Sequence, residues 1–413
     1  MKKIVAGVLL MIALFGCEKG APELKEGVWR GVLDLQDQEL AFNFAVRKDS
    51  TGSYDAFIKN GGENILLDEV AFEGDSIVMT LHIFDSELKA AISGDSLHGY
   101  YIKNYEKNYR IPFRAAYNQD FRFVTQQDEE RADFSGKYRV TFTDGKREIP
   151  AIGMFEHQAG NIVTGTFMTT TGDYRFLEGN VSGNKMIIST FDGNHAYLFT
   201  ATKTSDSTLV GDFWSGKTLH RKWTGTRDEN VVLQSPEELT SLKDGIQTIN
   251  ASFPDLDGNL VNPTDEKYRN KVVILQIFGT WCPNCMDETR FLNEWYSQNK
   301  HRDVEIIGLA FETNGDFDYA SGRVKKMIDK LGVEYDFVIG GSKDKEKVEA
   351  ALPMLEGVIA FPTTIFIGRD GLVKRIHTGF TGPGTGIYYE QHVQHFNEYV
   401  NELLNDDIAS LKQ

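Results

Sequence analysis

Cys282 and Cys285 stand two residues apart in the stretch Phe278–Gly279–Thr280–Trp281–Cys282–Pro283–Asn284–Cys285. Two thiols at this spacing can exchange electrons with another disulfide, hold half of a zinc site, or form a static crosslink. Zinc would need a second ligand pair, and no further CxxC or CxxH partner is present. His392 and His395 lie three apart and could share a helix face, but they read as surface polar residues, so no metal is expected. Exchange needs a thiolate, and a helix N-terminus stabilises one through its free N–H groups and its dipole. The two-residue spacer puts the second sulfur one turn inside, within disulfide reach of the first. Pro283 falls in the first helical turn, where a missing N–H costs nothing. Asn284 is neutral and adds no charge that would shift the thiolate balance.

The surrounding elements must deliver that placement. Lys271–Phe278 is a nearly continuous apolar run, the mark of a buried parallel strand, and it leads straight into the cysteines. Cys285–Tyr296 reads as a helix, Val304–Ala310 as a second buried strand and Tyr319–Leu331 as a helix. Lys345–Leu352 is a short helix. Thr363–Ile367 and Val373–His377 flank the turn Gly368–Arg369–Asp370–Gly371 and read as a hairpin. Tyr388–Leu404 is a closing helix. This β-α-β-α-β-β-α order is the thioredoxin order.

These residues carry a resemblance. Trp281–Cys282–Pro283–Asn284–Cys285 with Glu288, and Ala360–Phe361–Pro362–Thr363–Thr364 ahead of an apolar strand, resemble the TlpA/ResA-type branch of extracytoplasmic thioredoxin-like proteins. Thr378–Gly379–Phe380–Thr381–Gly382–Pro383 resembles the loop that follows in that branch. The resemblance covers about 247–405. It implies a thiol–disulfide oxidoreductase with a redox-active Cys282–Cys285 disulfide and no other cofactor. It implies that Cys282 is the exposed nucleophile and Cys285 the buried resolving thiol. Pro362 is then expected in cis against the disulfide, with Trp281, Phe361 and Thr363 shaping the substrate groove. Glu288, one turn beyond Cys285, resembles the acid that handles the proton of Cys285. Cytoplasmic thioredoxins carry an aspartate six residues before the first cysteine; here that position is Gln276, so proton handling must differ.

The rest of the chain is of another kind. It has 413 residues, more than one ordinary domain uses. From Gly27 to Asp228 short alternating segments such as Leu40–Val46, Ile77–Ile83 and Asn161–Phe167 are broken by Gly, Asn, Asp and Ser turns, the pattern of an antiparallel all-β region. It looks duplicated at a spacing of roughly 110 residues. Gly27–Val28–Trp29 matches Gly136–Lys137–Tyr138, Gly74–Asp75 matches Gly183–Asn184, and Phe84–Asp85 matches Phe191–Asp192. Leu97–His98–Gly99–Tyr100–Tyr101 likewise matches Leu209–Val210–Gly211–Asp212–Phe213. The expected fold class is therefore multidomain: residues 1–16 a signal peptide, 17–26 a tether, 27–117 and 134–228 two β repeats, 229–247 a linker, and 248–413 an α/β thioredoxin-like domain. The aromatics Trp29, Tyr54, Tyr100, Tyr101, Tyr138, Phe167, Tyr174 and Trp214 read as β-core residues, with a ligand pocket as the alternative.

The remaining cysteine, Cys17, speaks to location. Lys2 and Lys3 precede the apolar run Ile4–Phe15, which is too short to span a bilayer. Leu14–Phe15–Gly16–Cys17 then looks like a bacterial lipobox, in which Cys17 is the lipid attachment site. A lipid-anchored position in the cell envelope follows, facing the periplasm or exterior. The expected partners are envelope proteins bearing disulfides or thiols and a membrane thiol reductant or oxidant. The formal net charge of −16 and pI near 5.1 argue against nucleic acid. Two other functions compete. A thiol peroxidase would place threonine three residues before the cysteine and proline four earlier, where Gly279 and Leu275 stand; Thr280 is only superficially similar. A ligand-binding lipoprotein would make the β repeats dominant.

Overall fold

Residues 23–125 and 131–406 are described by the computed structural model; Cys17 and the segment before it lie outside them. Alternating apolar residues build a first antiparallel sheet. Its strands are β1 (Gly27–Leu35), β2 (Gln38–Lys48), β3 (Tyr54–Asn60), β4 (Glu63–Leu66), β5 (Glu69–Glu73), β6 (Ser76–Leu81), β7 (Ser86–Ser93), β8 (Ser96–Lys103) and β9 (Arg110–Tyr117). The order across the sheet is β4-β3-β2-β1-β9-β8-β7-β6-β5. Along β2, Leu40, Phe42, Phe44 and Val46 all turn inward and are buried. Gln36 and Asp37, both at positive φ, make the two-residue hairpin between β1 and β2.

The second sheet comprises β10 (Gly136–Thr143), β11 (Glu148–His157), β12 (Ile162–Thr169), β13 (Gly172–Asp173), β14 (Leu177–Ser182), β15 (Lys185–Phe191), β16 (Ala196–Ser205), β17 (Thr208–Ser215) and β18 (Leu219–Arg227). Its order is β11-β10-β18-β17-β16-β15-β14-β12-β13, and β11 also pairs with β12, which closes a barrel. Phe142, Phe167, Phe199, Phe213, Trp223 and Tyr138 pack in its interior, as side chains do in a small barrel. Trp29, Tyr101, Tyr138 and Phe167 are fully buried, Tyr54, Tyr174 and Trp214 partly so, and Tyr100 points outward.

With β4 and β13 set aside and the β11–β12 pairing counted, the two sheets run through their strands in the same order, the second closing through an added β12–β14 pairing. Gly99 on β8 faces Ala90 and Gly211 on β17 faces Ala201. A methyl on Gly99 would sit 1.9 Å from Lys89 O, and one on Gly211 1.9 Å from Thr200 O, so both strands need glycine for the same close approach. The two β units lock together through a residue the sequence did not mark. Arg122, in the connector after β9, is 2% exposed. It donates to Glu178 O (3.3 Å), Ser189 O (3.0 Å) and Lys59 O, and its Nε lies 3.3 Å from Glu178 Oε1.

The C-terminal part opens with a small pairing, β19 (Phe253–Pro254) with β20 (Leu260–Val261). Then follow β21 (Val272–Phe278), α1 (Pro283–Asn299), β22 (Val304–Glu312), α2 (Phe317–Leu331), β23 (Asp336–Ser342), α3 (Lys345–Ala351), β24 (Thr363–Ile367), β25 (Val373–Thr378) and α4 (Ile387–Asn405). The sheet order is β23-β22-β21-β24-β25, with β22 parallel to both β21 and β23 and the last two strands antiparallel. Every residue of central β21 is buried. This is the thioredoxin-like arrangement, with one correction: β23 lies between α2 and α3 where no strand was expected. Only Phe337–Val338–Ile339 is apolar there before Gly340 and Gly341, and an edge strand needs no longer run. The segment 229–247 is packed rather than free: Val231 joins Ile152 and Met168 in a small cluster, and Leu242 bridges to Leu355. No described helix is long and apolar enough to cross a membrane.

Candidate active site

Strand β21 ends at Phe278 and the chain turns through Gly279 into α1. Gly279 has no room for a side chain: a methyl there would lie 2.2 Å from Trp281 Nε1 and 2.6 Å from Phe311 O. That space lets the Trp281 ring fold back, its Nε1 donating to Phe311 O at 2.9 Å. Cys282 is the N-cap of α1, its sulfur accepting from Cys285 N at 3.2 Å, and Pro283 is the first helical residue. The helix thus starts two residues earlier than the sequence pattern suggested, because capping residues carry no apolar period. Cys282 and Cys285 form a disulfide with Cα atoms 5.2 Å apart. Cys282 keeps 7% exposure and Cys285 none.

The loop before β24 meets this pair. The Phe361–Pro362 bond is cis, and Cys282 Sγ lies 3.6 Å from Phe361 O. Trp281 and Phe361 meet edge to face at 5.4 Å, both partly exposed. Thr363, expected in the groove, is fully buried, its hydroxyl donating to Ala360 O at 2.8 Å. Its side chain holds the loop from within.

Behind the disulfide lies Glu288, 3% exposed. Gln276 Nε2 donates to its Oε2 and Thr364 Oγ1 to its Oε1, both at 2.8 Å. The residue that stands in place of aspartate thus touches the acid directly. Burial pushes Glu288 up to about 7, against the pull of the two hydrogen bonds. A cavity of about 220 Å³ borders it, lined also by His377, His392 and His395. Burial holds His377 near 4 and His392 near 3, so both imidazoles are neutral at neutral pH.

A second buried acid was not anticipated. Glu312, at the end of β22, is 1% exposed and accepts from Thr280 N (2.8 Å) and Thr280 Oγ1 (2.9 Å). Burial pushes it up to about 7. Its strand also carries Glu305, so a second glutamate at the strand end gave no distinct signal. Thr280, weighed above for peroxide chemistry, spends its hydroxyl on this carboxylate.

The site also draws on the second β unit. Asn284 Nδ2 donates to Asp173 O (3.0 Å), Gly382 N to Asp173 Oδ2 (2.6 Å), and Asn194 Nδ2 to Trp281 O (2.6 Å). Arg175, 4% exposed at its side chain, donates to Pro283 O (3.1 Å) and to Asp287 and Glu63, with Nε 3.3 Å from Asp192 Oδ2. Burial alone would lower Arg175, but Asp287, Glu63, Asp192 and Asp173 outweigh it and hold the cation. Burial would raise Asp192, but His195 and Arg175 hold it well below the usual range.

A disulfide at a helix start, one cysteine keeping 7% exposure and the other none, with carboxyls titrating near neutrality beside it, suits two-electron exchange with another disulfide. A family model described as Redoxin matches residues 243–390. Thiol-disulfide oxidoreductase ResA of Bacillus thuringiensis subsp. konkukian is 31% identical over 159 residues, 38% of this chain and 78% of its own. ResA of Halalkalibacterium halodurans is 28% identical over 156 residues, 38% of this chain and 76% of its own. A solved thiol:disulfide interchange protein of the thioredoxin family from Chlorobium tepidum covers 40% of this chain and 100% of its own at 20% identity, with a TM-score of 0.30. Through its C-terminal part the chain belongs to the ResA-type family of thiol–disulfide oxidoreductases, and it is an enzyme of that class.

Proposed function

We propose that this enzyme is lipid-anchored in the cell envelope through Cys17 and exchanges dithiol for disulfide with envelope proteins. The observation that carries the exchange reading is the disulfide at the N-terminus of α1, with Cys282 as the N-cap keeping 7% exposure and Cys285 none. Cys282, as thiolate, attacks a substrate disulfide; a Cys282–substrate bond forms, the substrate S–S bond breaks, and the leaving thiolate takes a proton. Cys285 then attacks Cys282 Sγ and expels the second substrate thiol. Two electrons have passed to the substrate, and a membrane thiol reductant restores the dithiol. Glu288 takes the proton that Cys285 must lose, which its titration near neutrality supports. No cofactor beyond the disulfide is needed. The anchor reading rests on Lys2, Lys3 and the run Ile4–Phe15 ending at Gly16–Cys17. The shared strand order and the paired glycines Gly99 and Gly211 support reading 27–117 and 134–228 as duplicated units.

Trapping tests the reading. A Cys285→Ser chain expressed in cells should accumulate mixed disulfides with envelope proteins in the membrane fraction, and Cys17→Ser should release the chain as a soluble form. Absence of adducts from Cys285→Ser, or adducts on Cys282→Ser instead, would refute the assigned roles.

A further inference from the structure

A buried acid that takes a proton must also give it up. Glu288 is 3% exposed, Cys285 is fully buried, and the two carboxyl oxygens accept from Gln276 and Thr364. The acid borders the cavity of about 220 Å³, which neither cysteine lines. That volume has room for several waters.

The polar groups around the cavity form a row. Thr364 Oγ1 donates to Glu288 Oε1 at 2.8 Å. Thr364 and His377 are directly paired across β24 and β25, so their side chains are neighbours on one face of the sheet. His392, expected at the surface, turns inward, its ring 5.1 Å from that of His377. His395 follows three residues along α4, a spacing that shares a helix face, and it is exposed. The row thus runs from the buried acid to the surface. The segment 235–237 closes over it, and the partly exposed pair Arg375–Glu237, at 3.0 Å, marks the mouth, with Arg375 over the Tyr399 ring.

Neither the His377 nor the His392 imidazole hydrogen-bonds to a protein atom among the described residues, so their nitrogens are left for water in the cavity. Among the described residues no three His, Cys, Asp or Glu side chains are placed to share a metal ion. Burial keeps both imidazoles neutral, helped by Arg375 at His377 and by His377 and His395 at His392. A neutral imidazole carries one donor and one acceptor. It can order a file of water without trapping the passing proton as a cation.

We propose that His377 and His392 are positioning residues for a proton outlet: they order water between Glu288 and the surface at His395, so that the proton taken from Cys285 leaves through the cavity rather than past the bound substrate. The proposal rests on the reading of Glu288 as the acceptor of that proton. The Cys285 S–H bond breaks and a Glu288 O–H bond forms as the Cys285 sulfur attacks Cys282 Sγ. The Glu288 O–H then ionises, its proton passes to cavity water, and one proton is released to solvent beside His395. When the disulfide is reduced again, the row carries a proton inward.

The test uses the full chain, pre-reduced and mixed rapidly with a peptide disulfide. Acid quenching and mass analysis time the mixed disulfide and its resolution by Cys285. The double variant His377→Phe, His392→Phe should slow resolution about tenfold and raise its solvent deuterium isotope effect. Attack by Cys282, timed alone in a Cys285→Ser background, should change by less than about twofold. The double variant His377→Ala, His392→Ala should slow resolution as well, and free imidazole should restore it to within about twofold of wild type. A merely structural lesion would slow attack too and would not answer to imidazole. The Ala pair carries the test if the Phe pair does not fold. Unchanged resolution in both pairs, or a loss shared with attack and indifferent to imidazole, overturns the outlet. Resolution at the wild-type rate in Glu288→Gln overturns the Glu288 assignment and the outlet with it. A slow Glu288→Gln beside unchanged histidine pairs overturns the outlet alone.

Discussion

Replacing Glu288 with glutamine should stabilise the protein, and only on one side of a pH window. Unfolded, this carboxyl titrates near 4.5; folded, burial raises it to about 7. Between those values the folded chain holds a proton that the unfolded chain has lost. Stability therefore falls as pH rises through the window and stays at the lower level above it. At about 1.4 kcal/mol per pH unit the gap is worth about 3 kcal/mol. Glutamine keeps the shape of the protonated acid and stays neutral, with an oxygen to accept from Gln276 or Thr364. Glu288→Gln should match wild type below the window and exceed it by about 3 kcal/mol above it. Glu312 titrates in the same range in both proteins and cancels from the difference. The assay is urea denaturation of the oxidised chain from about pH 4 to about pH 9, followed by tryptophan fluorescence. A difference that does not vary with pH would show that Glu288 is not protonated in the fold, and the reasoning would fail.

Other perturbations read other parts of the molecule. Cys282→Ser should abolish exchange, whereas Cys285→Ser should form adducts that run as mixed disulfides on a non-reducing gel; stable adducts from the first variant would reverse the roles. Thr280→Val takes a donor from Glu312 and should cost about 1–3 kcal/mol. Because that bond favours the charged carboxylate, the loss should be greater above pH 7 than at pH 5, by thermal unfolding at both. Arg122→Ala should cost about 1–3 kcal/mol or more, since the carbonyls of Ser189 and Lys59 lose their donor and the partly exposed Glu178 its cation; a urea midpoint within error of wild type would remove Arg122 as the tie between the β units. Gly99→Ala and Gly211→Ala should each prevent folding of their sheet, while Gly322→Ala, in α2 with open space around it, should stabilise by up to about 1 kcal/mol. Circular dichroism melts separate the two classes.

What could be read from the sequence was what is local. The apolar run into β21, Pro283 after Cys282 and the Gly368–Gly371 turn are each decided by a few neighbours, and each stands where the pattern put it. Gly99 and Gly211 each sit on a strand at a close approach to the neighbouring strand, a demand that strand pairing makes locally. Edge strand β23 escaped because three apolar residues carry too short a period. Arg122, Arg175 and Glu312 escaped for a deeper reason. A lone charge in a turn or at a strand end looks solvated until its partner is known, and Arg175 meets Glu63 and Asp287 across 112 residues each. Nothing in local composition announces such a pairing. Thr363 shows the reverse limit: a motif position was legible, but the direction of its hydroxyl was not.

The Arg175 clamp also bears on inheritance. In a chain built from modules, the C-terminal part looks like a cassette that recombination could move from one β region to another. Here it is not freely exchangeable. Asp287 rides with the cassette together with the half-exposed Arg290, 3.0 Å away, while its buried cation Arg175 stays behind on the β side. A transplant onto a β region with an apolar residue at that position would leave Asp287 with only the half-exposed Arg290 to balance it at the first turns of the active-site helix, a lesion below the usual cost of a broken buried pair, about 3–5 kcal/mol. Substitutions at 175 and 287 should therefore descend together, and a lineage that loses one must lose or replace the other.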